Sequence, residues 1–281
     1  MPIHVDGESG PPGYALIEHA ESEAWAEIQS HVSESFRDRF GVRVHRVGCC
    51  VVLVAPRTDM LALNRAWLPG SAPSLRPDVL DEVTAVFREA VAPRFVIHWP
   101  PAALPVDAPD WFAERGFRVG HPMAKLYRRT SAALAIDSIA SDLNIVERGK
   151  GDGALFGAIA ALGNEAPPFM APGFNSTVGQ VSWRHYFAMD GGRPVAAAAM
   201  RIGADVAWCG FAGTMPDYRR RGAQSALLAR RVRDAAAAGC TWVTCETTAD
   251  TAERPSPSFR NMTRLGFEMA YLRTNHVLTL L

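Results

Sequence analysis

Hydrophobic and polar positions repeat with two different periods along this chain, and together the periods predict a mixed α/β protein. Helical spacing over residues 15–40 places one set of residues on a common face: Leu16, Ala20, Trp25, Ile28, Val32 and Phe36. Further helices are predicted at 78–92, 110–115, 153–162, 223–234 and 256–265. Shorter apolar runs predict strands at 42–47, 49–55, 60–66, 94–99, 117–128, 143–147, 183–189, 193–202, 206–214, 241–246, 267–272 and 275–280.

The order of these elements is the same in the two halves of the chain. Each half has three strands, a helix, a buried strand, a short helix that ends in Gly-Phe, and a final strand. The Gly-Phe segments are FAERGFRV at residues 112–119 and MTRLGFEM at residues 262–269. This order predicts an internal duplication, with a connector at residues 130–142 and a loosely ordered Gly- and Pro-rich start at residues 1–13.

Composition and charge narrow the range of functions. Lysine plus arginine and aspartate plus glutamate both total 29, so a basic surface for nucleic acid is not expected. The 5 cysteines form no CxxC pair and the histidines show no ligand spacing, which argues against a zinc site. The cysteines are interpreted as reduced, buried thiols of a cytoplasmic protein, and no run is apolar enough to predict a signal peptide or a membrane span.

A basic turn after the predicted strand at 206–214 carries the clearest chemistry. Arg219, Arg220 and Arg221 precede Gly222, and an amphipathic helix follows. A strand, a glycine turn and a helix together present free backbone N–H groups and a positive helix end to an anion. The turn therefore predicts a phosphate or pyrophosphate site, and the alternative is a basic surface turn that begins an ordinary helix. The sequence has neither GxxxxGK[ST] nor GxGxxG after this strand.

This turn resembles the acetyl-CoA loop of the GNAT superfamily of N-acyltransferases, whose pattern is R/Q-x-x-G-x-G/A after a strand and a proline. Arg219 and Gly222 match the pattern, whereas Gln224 stands where the family has Gly or Ala. The resemblance extends over residues 143–281, and the whole chain resembles bacterial tandem GNAT proteins. It implies two GNAT-like mixed sheets flanked by helices, with a degenerate domain at 1–135 and an acetyltransferase domain at 140–281. The first half lacks the loop pattern, so it is assigned no cofactor and is interpreted as a scaffold that shapes the acceptor cleft.

The resemblance also implies a reaction and its binding residues. Acetyl-CoA would be the cosubstrate, and the acetyl group would pass directly to the amine of a small molecule or peptide. No nucleic acid or membrane is involved, and a homodimer is left open. Acceptor selectivity is expected to lie in the long loop at 163–177, whose apolar residues are interpreted either as a substrate lid or as the loop's own packing. The implied cofactor-binding residues are Ala212, Gly213, Thr214, Arg219, Arg220, Arg221, Gly222, Ala223, Gln224 and Ser225.

Glu246 is the implied catalytic residue, because it ends the fifth strand at a position where related enzymes carry a glutamate base. The apolar neighbours Val243 and Cys245 are expected to raise its pKa. A structural carboxylate paired with an arginine is the alternative. Met262 stands where many family members carry a tyrosine as the acid. Either the thiolate leaves without an acid, or Ser258, Tyr271 or His185 takes the place of the tyrosine.

Two other functions stay open at this point. One is a non-catalytic module that binds CoA or a partner, for which Gln224 and Met262 would mark lost chemistry. The other is a tandem ligase of mycothiol-synthase type, which shares the architecture.

Overall fold

The computed structural model describes residues 11–67, 76–132 and 141–281. The helices are α1 (Tyr14–Ser30), α2 (Glu34–Phe40), α3 (Pro77–Glu89), α4 (Ala108–Glu114), α5 (Gly153–Gly163), α6 (Ala171–Phe174), α7 (Ala223–Ala237) and α8 (Pro257–Arg264). The strands are β1 (Arg43–Val47), β2 (Cys50–Val54), β3 (Arg65–Trp67), β4 (Arg94–Trp99), β5 (Arg118–Val119), β6 (Met123–Arg129), β7 (Asn144–Arg148), β8 (Trp183–Asp190), β9 (Arg193–Ile202), β10 (Val206–Thr214), β11 (Trp242–Thr248) and β12 (Glu268–Thr279). Most of the predicted amino-terminal segment, of the proline-rich junction after Trp67 and of the connector lies outside the described residues.

The strands of both halves join in one mixed sheet. Its order is β1-β2-β3-β4-β12-β6-β11-β10-β9-β8-β7, with β5 paired beside β12. Helix α7 packs on one face of the second half through Leu227 and Val232, while α1 and α5 cover the opposite face through Ile28 and Ile159. The predicted α/β class is confirmed, and the two predicted sheets are continuous with each other.

The two halves exchange their final strands. Strand β6, from the first half, lies antiparallel between β11 and the first part of β12. The second part of β12, from Thr274 to Thr279, pairs with β4 of the first half, and His276 and Val277 also pair with β5. Each half of the sheet is therefore completed by a strand from the other half. The domain limits at 135 and 140 stay a prediction, since the strand pairing crosses them in both directions.

Three element predictions are corrected by the structure. The helix predicted over residues 15–40 is two helices, because Ser33 caps a new one by accepting a hydrogen bond from the N–H of Phe36. The strand predicted at 60–66 is mostly a turn, which the Asn64 amide stabilises by bonding to the backbone of Ala55 and Thr58. The two strands predicted between 267 and 280 are the single strand β12.

The cysteine prediction is partly wrong, since Cys49 is exposed in the turn between β1 and β2. The other four thiols are buried, and all are free. Within the described ranges no group of side chains is arranged to hold a metal ion, and no helix is long and apolar enough to cross a membrane.

Candidate active site

Strands β10 and β11 begin side by side and then separate. They pair in parallel from Val206 and Trp242 to Cys209 and Cys245. Beyond that point β10 bulges, with a register shift against β9 between Gly210 and Gly213. Phe211, inside the bulge, has φ +53°, a left-handed conformation that costs energy for a residue with a large side chain. The bulge moves the backbone of β10 away from β11 and leaves a wedge between them.

A cavity of about 1260 Å³ opens at this wedge. This volume exceeds the roughly 300–1,000 Å³ typical of sites for drug-sized ligands, so a long ligand can be accommodated. All predicted cofactor-binding residues except Arg221 line the cavity, and Glu246 lines it as well. The structure thus brings the predicted phosphate loop and the predicted base to one site.

The amino terminus of α7 presents a run of free amides to this cavity. Gly222 has φ +74° and ψ 4°, and no side chain caps the helix. Among the described residues, no hydrogen-bond acceptor is recorded for the backbone N–H groups of residues 220–225. Unpaired amides at a helix amino terminus, together with the helix dipole, form an anion site.

The three arginines of this turn are not equivalent. Arg219 forms an ion pair with Glu165 at 2.9 Å, and both residues line the cavity. Arg221 points elsewhere, to Asp190 at 2.9 Å and to Asp142. Arg220 has φ +65° and, within the described part of the chain, no recorded ion pair. Arg221 therefore anchors the turn, which corrects the expectation that all three line the anion site.

Helix α5 touches the bulge of β10 at a pair of glycines. A Cβ atom on Gly163 would lie 2.4 Å from the carbonyl carbon of Gly213, a distance that real side chains do not adopt. Sequence reasoning missed Gly163, although a glycine at the carboxyl end of a helix was a usable signal. The loop at 163–177 contains α6, and its first residues Gly163, Asn164 and Glu165 line the cavity.

Polar side chains tie α7 to its neighbours at the cavity wall. Gln224 donates to the hydroxyl of Thr214 at 2.8 Å, so its side chain bridges α7 and β10. Ser225 donates to Asn261 of α8 at 2.6 Å. Asn261 lines the cavity and was not among the predicted site residues.

Glu246 belongs to a buried ionic cluster that both halves build. Its carboxylate pairs with Arg273 of β12 and lies 3.6 Å from the Lys125 ammonium of β6. Arg273 also pairs with Glu18 at 2.7 Å and Glu21 at 3.1 Å, both on α1. Lys125 forms a further ion pair with Glu21. This ionic cluster, defined here as Glu18, Glu21, Lys125, Glu246 and Arg273, is almost fully buried except for Glu246, whose side chain is 17% exposed.

The site lies within a segment that matches a known family. Residues 165–249 match the family model of the acetyltransferase (GNAT) domain. This segment contains the bulged strand, the basic turn, α7 and Glu246. No curated protein matches the sequence.

Three solved structures, two of them of GNAT proteins, share the fold over most of the chain. A GCN5-related N-acetyltransferase from Kribbella flavida has a TM-score of 0.64 at 18% identity and covers 94% of this chain and 95% of its own. A tandem GNAT protein from the clavulanic acid biosynthesis pathway, in a form without AcCoA, has a TM-score of 0.56 at 12% identity. The match covers 95% of this chain and 97% of that protein. A conserved protein of unknown function from Staphylococcus epidermidis has a TM-score of 0.60 at 13% identity. The match covers 88% of this chain and 98% of that protein. At these identities the likeness is one of fold.

The electrostatics of Glu246 differ from the sequence expectation. Burial alone would raise the pKa of Glu246, but the charges of Arg273 and Lys125 more than offset burial and lower it below 4.5. The expected upward shift is therefore wrong. Glu246 is an ionised carboxylate at neutral pH that both lines the cavity and belongs to an ion-pair cluster.

The three candidate acids occupy different places. Ser258 lines the cavity. The hydroxyl of Tyr271 instead donates to Glu18 at 2.7 Å, and the tyrosine is not part of the cavity wall. His185 is 2% exposed beneath Phe156, and burial lowers its pKa to about 4. Only Ser258 of these three is placed to meet a ligand in the cavity.

Proposed function

We propose that this protein is an acetyl-CoA-dependent N-acetyltransferase that transfers the acetyl group directly to an amine. One observation supports it most strongly: the unpaired amides at the start of α7 and the carboxylate of Glu246 line the same cavity. The first is suited to a pyrophosphate and the second to an amine. The match of residues 165–249 to the GNAT domain supports the same assignment.

The cofactor site would extend from α7 to the bulge of β10. The pyrophosphate would accept hydrogen bonds from the amides of residues 220–225, where Gly222 removes the steric obstacle to a close approach. The pantetheine chain would lie along residues 212–214, where β10 has separated from β11 and its backbone groups on that side are free to pair with amides. Contact between Gly163 and Gly213 would hold this stretch of β10 in place.

Glu246 would serve as the base in the transfer. As the amine nitrogen bonds to the acetyl carbonyl carbon and the carbon–sulfur bond breaks, one proton leaves the nitrogen for Glu246, directly or through water, and is finally returned to the departing thiolate. A backbone N–H of the bulge would stabilise the negative charge that develops on the carbonyl oxygen. Ser258, which lines the cavity, would return the proton to the thiolate.

The first half would contribute to this site without binding cofactor itself. Lys125 and Glu21 come from that half, and with Arg273 they fix the orientation of the Glu246 carboxylate. This role agrees with the scaffold interpretation of the first half. Lys125 and Arg273 also keep Glu246 ionised, so that it can attract an ammonium group before the proton is lost.

A module that binds CoA without catalysis is the second candidate. The observation that favours it is the pairing of Glu246 with two cations, since a carboxylate with a lowered pKa is a weaker base. In that case the cavity would hold acetyl-CoA, and the ionic cluster would serve stability alone.

Release of CoA thiol in the presence of amines separates the two candidates. The full-length protein would be mixed with acetyl-CoA and a panel of small amines and amino-terminal peptides, with free thiol detected by DTNB and acetylated product by mass spectrometry. The proposal predicts amine-dependent thiol release matched one-to-one by N-acetyl product. Tight binding of acetyl-CoA without transfer to any amine would support the binding module.

A further inference from the structure

Arg65, an arginine of the first half that lies outside the cavity lining, has donors that are not used. Arg65 is the first residue of β3, and its Nε donates to the backbone oxygen of Leu61 at 3.1 Å. Its guanidinium carbon lies 4.3 Å from the ring centre of Trp25 and 5.4 Å from that of Trp67. Within the described ranges no hydrogen bond or ion pair is recorded for its two terminal NH₂ groups.

An aromatic wall connects Arg65 to the cavity. Trp25, on α1, meets Phe211 edge to face with ring centres 5.7 Å apart. Phe211 lines the cavity at the bulge, and its left-handed backbone turns the side chain out of the regular pleat. Phe174 packs on the other side of Phe211 at 5.0 Å. The wall therefore runs without interruption from the cavity to a cation, through contacts of Phe211 with Trp25 and of Trp25 with Arg65.

A chain of contacts connects Arg65 to Glu246. The Arg65 guanidinium lies over Trp67, whose indole N–H donates to Glu21 at 3.1 Å. Glu21 in turn pairs with both cations that hold Glu246. The charge of Arg65 lowers the pKa of Glu246, and the charge of Glu246 opposes the effect of burial on the pKa of Arg65. The wall is thus bordered by a carboxylate on the cavity side and by a guanidinium beyond Trp25.

The charges around the wall are balanced only when Arg65 is included. The ionic cluster contains three carboxylates and two cations, so it carries one net negative charge. Arg65 supplies the matching positive charge without using its terminal donors. A ligand with one positive and one negative group can enter such a site without leaving a charge uncompensated, whereas a simple ammonium ion adds a positive charge.

We propose that the acceptor is an amine that also carries a carboxylate and an aromatic side chain, in the manner of an aromatic amino acid. The ammonium group of the acceptor would lie at Glu246, and its ring would pack against Phe211 and Trp25. Its carboxylate would accept hydrogen bonds from the two terminal NH₂ groups of Arg65. Guanidinium is suited to this role because its parallel N–H groups match a carboxylate. Rings that meet edge to face favour a further aromatic partner. This inference rests on the proposed acetyl transfer and defines its substrate class.

The test compares acceptors that differ by one group. The full-length protein with saturating acetyl-CoA would be assayed with L-phenylalanine, with phenethylamine, which lacks the carboxylate, and with glycine, which lacks the ring. The proposal predicts a kcat/KM for L-phenylalanine at least tenfold above that for each of the other two, chiefly through a lower KM. Such a factor corresponds to about 1.4 kcal/mol.

Arg65→Met gives the specific readout, because methionine keeps an unbranched side chain over the tryptophans and removes the charge. The substitution should lower kcat/KM for L-phenylalanine at least tenfold more than for phenethylamine. Arg43→Met, at an exposed position of β1, is the matched control and should leave the ratio of the two acceptors as it is in the wild type.

The rates with the two acceptors distinguish failure of the proposed acceptor class from failure of acetyl transfer. Equal rates with L-phenylalanine and phenethylamine, or an equal loss for both in Arg65→Met, would overturn the inference while acetyl transfer itself stands. If no amine is acetylated, the proposed transfer fails, and L-phenylalanine is then titrated into the CoA-loaded protein by calorimetry. Binding that Arg65→Met weakens would still support the carboxylate site, whereas no binding would overturn it.

Discussion

Gly222 is the residue on which the cofactor site depends most. Its φ of +74° and its missing side chain allow the first turn of α7 to face the cavity with open amides. Gly222→Glu would place a carboxylate where the pyrophosphate is proposed to lie, and it would add strain at a left-handed position. We expect acetyl-CoA affinity, measured by calorimetry, to fall at least tenfold, which corresponds to ~1.4 kcal/mol.

Gly191→Glu is the control for this substitution. Gly191 also has a left-handed φ, +57°, and a Cβ atom there would meet nothing within 4 Å. The Gly191→Glu substitution therefore introduces the same charge and a similar backbone strain, but in the hairpin between β8 and β9. A folded Gly222→Glu protein that binds acetyl-CoA as tightly as Gly191→Glu would show that the turn is not the pyrophosphate site.

Local sequence pattern was enough to select Gly222 and Glu246, which both line the cavity, but not to find the partners of Glu246. A glycine after a strand and before a helix is visible in a short window of sequence, as is a glutamate that ends an apolar strand. Arg273 and Lys125 reach Glu246 only because β6 and β12 are exchanged between the halves. The direction of the pKa shift was wrong for this reason, since the neighbours in sequence are apolar and the neighbours in space are charged.

At the scale of elements, the predictions of strands are wrong where polar side chains find hydrogen-bond or ion-pair partners inside the fold. A break was expected at residues 273–274, where Arg273 and Thr274 separate two predicted strands. In the structure β12 continues through them, since Arg273 pairs within the ionic cluster and Asn275 bonds to His98 at 2.8 Å. Strand β10 and helix α8 were predicted to within about two residues. Strand β10 is a continuous apolar run buried on both faces, and α8 has one apolar face with Phe259 and Met262.

At the scale of the whole molecule, the exchanged strands make the halves dependent on each other. Residues 141–281 expressed alone would lack β6, so β11 would have an unpaired edge and the ionic cluster would lose Lys125, Glu18 and Glu21. Exposed strand edges promote aggregation, and the apolar surface of the second half that α1 covers would be exposed as well. We expect this fragment to be poorly soluble and to retain weak acetyl-CoA binding when it can be kept in solution.

Co-expression with residues 1–132 provides the control for the fragment. The first half supplies β6 and α1, so the two pieces should form a soluble complex in size-exclusion chromatography. A fragment of residues 141–281 that is stable, monomeric and fully active alone would contradict the dependence.

The central claim, that Glu246 accepts the proton during acetyl transfer, is tested most directly by the pH dependence of turnover in Glu246→Gln. Because Arg273 and Lys125 lower its pKa, Glu246 in the wild type is ionised at neutral pH, and loss of activity through its protonation should begin only at a lower pH than the protonation of an ordinary glutamate. Glu246→Gln keeps the shape and removes the base, so kcat should fall about 10²-fold, the usual contribution of a positioned base. The logarithm of the remaining rate should rise linearly with pH, since the amine must arrive deprotonated, while the acetyl-CoA affinity should hardly change. A folded Glu246→Gln protein with the turnover and pH profile of the wild type would contradict the account and leave Glu246 with a structural role.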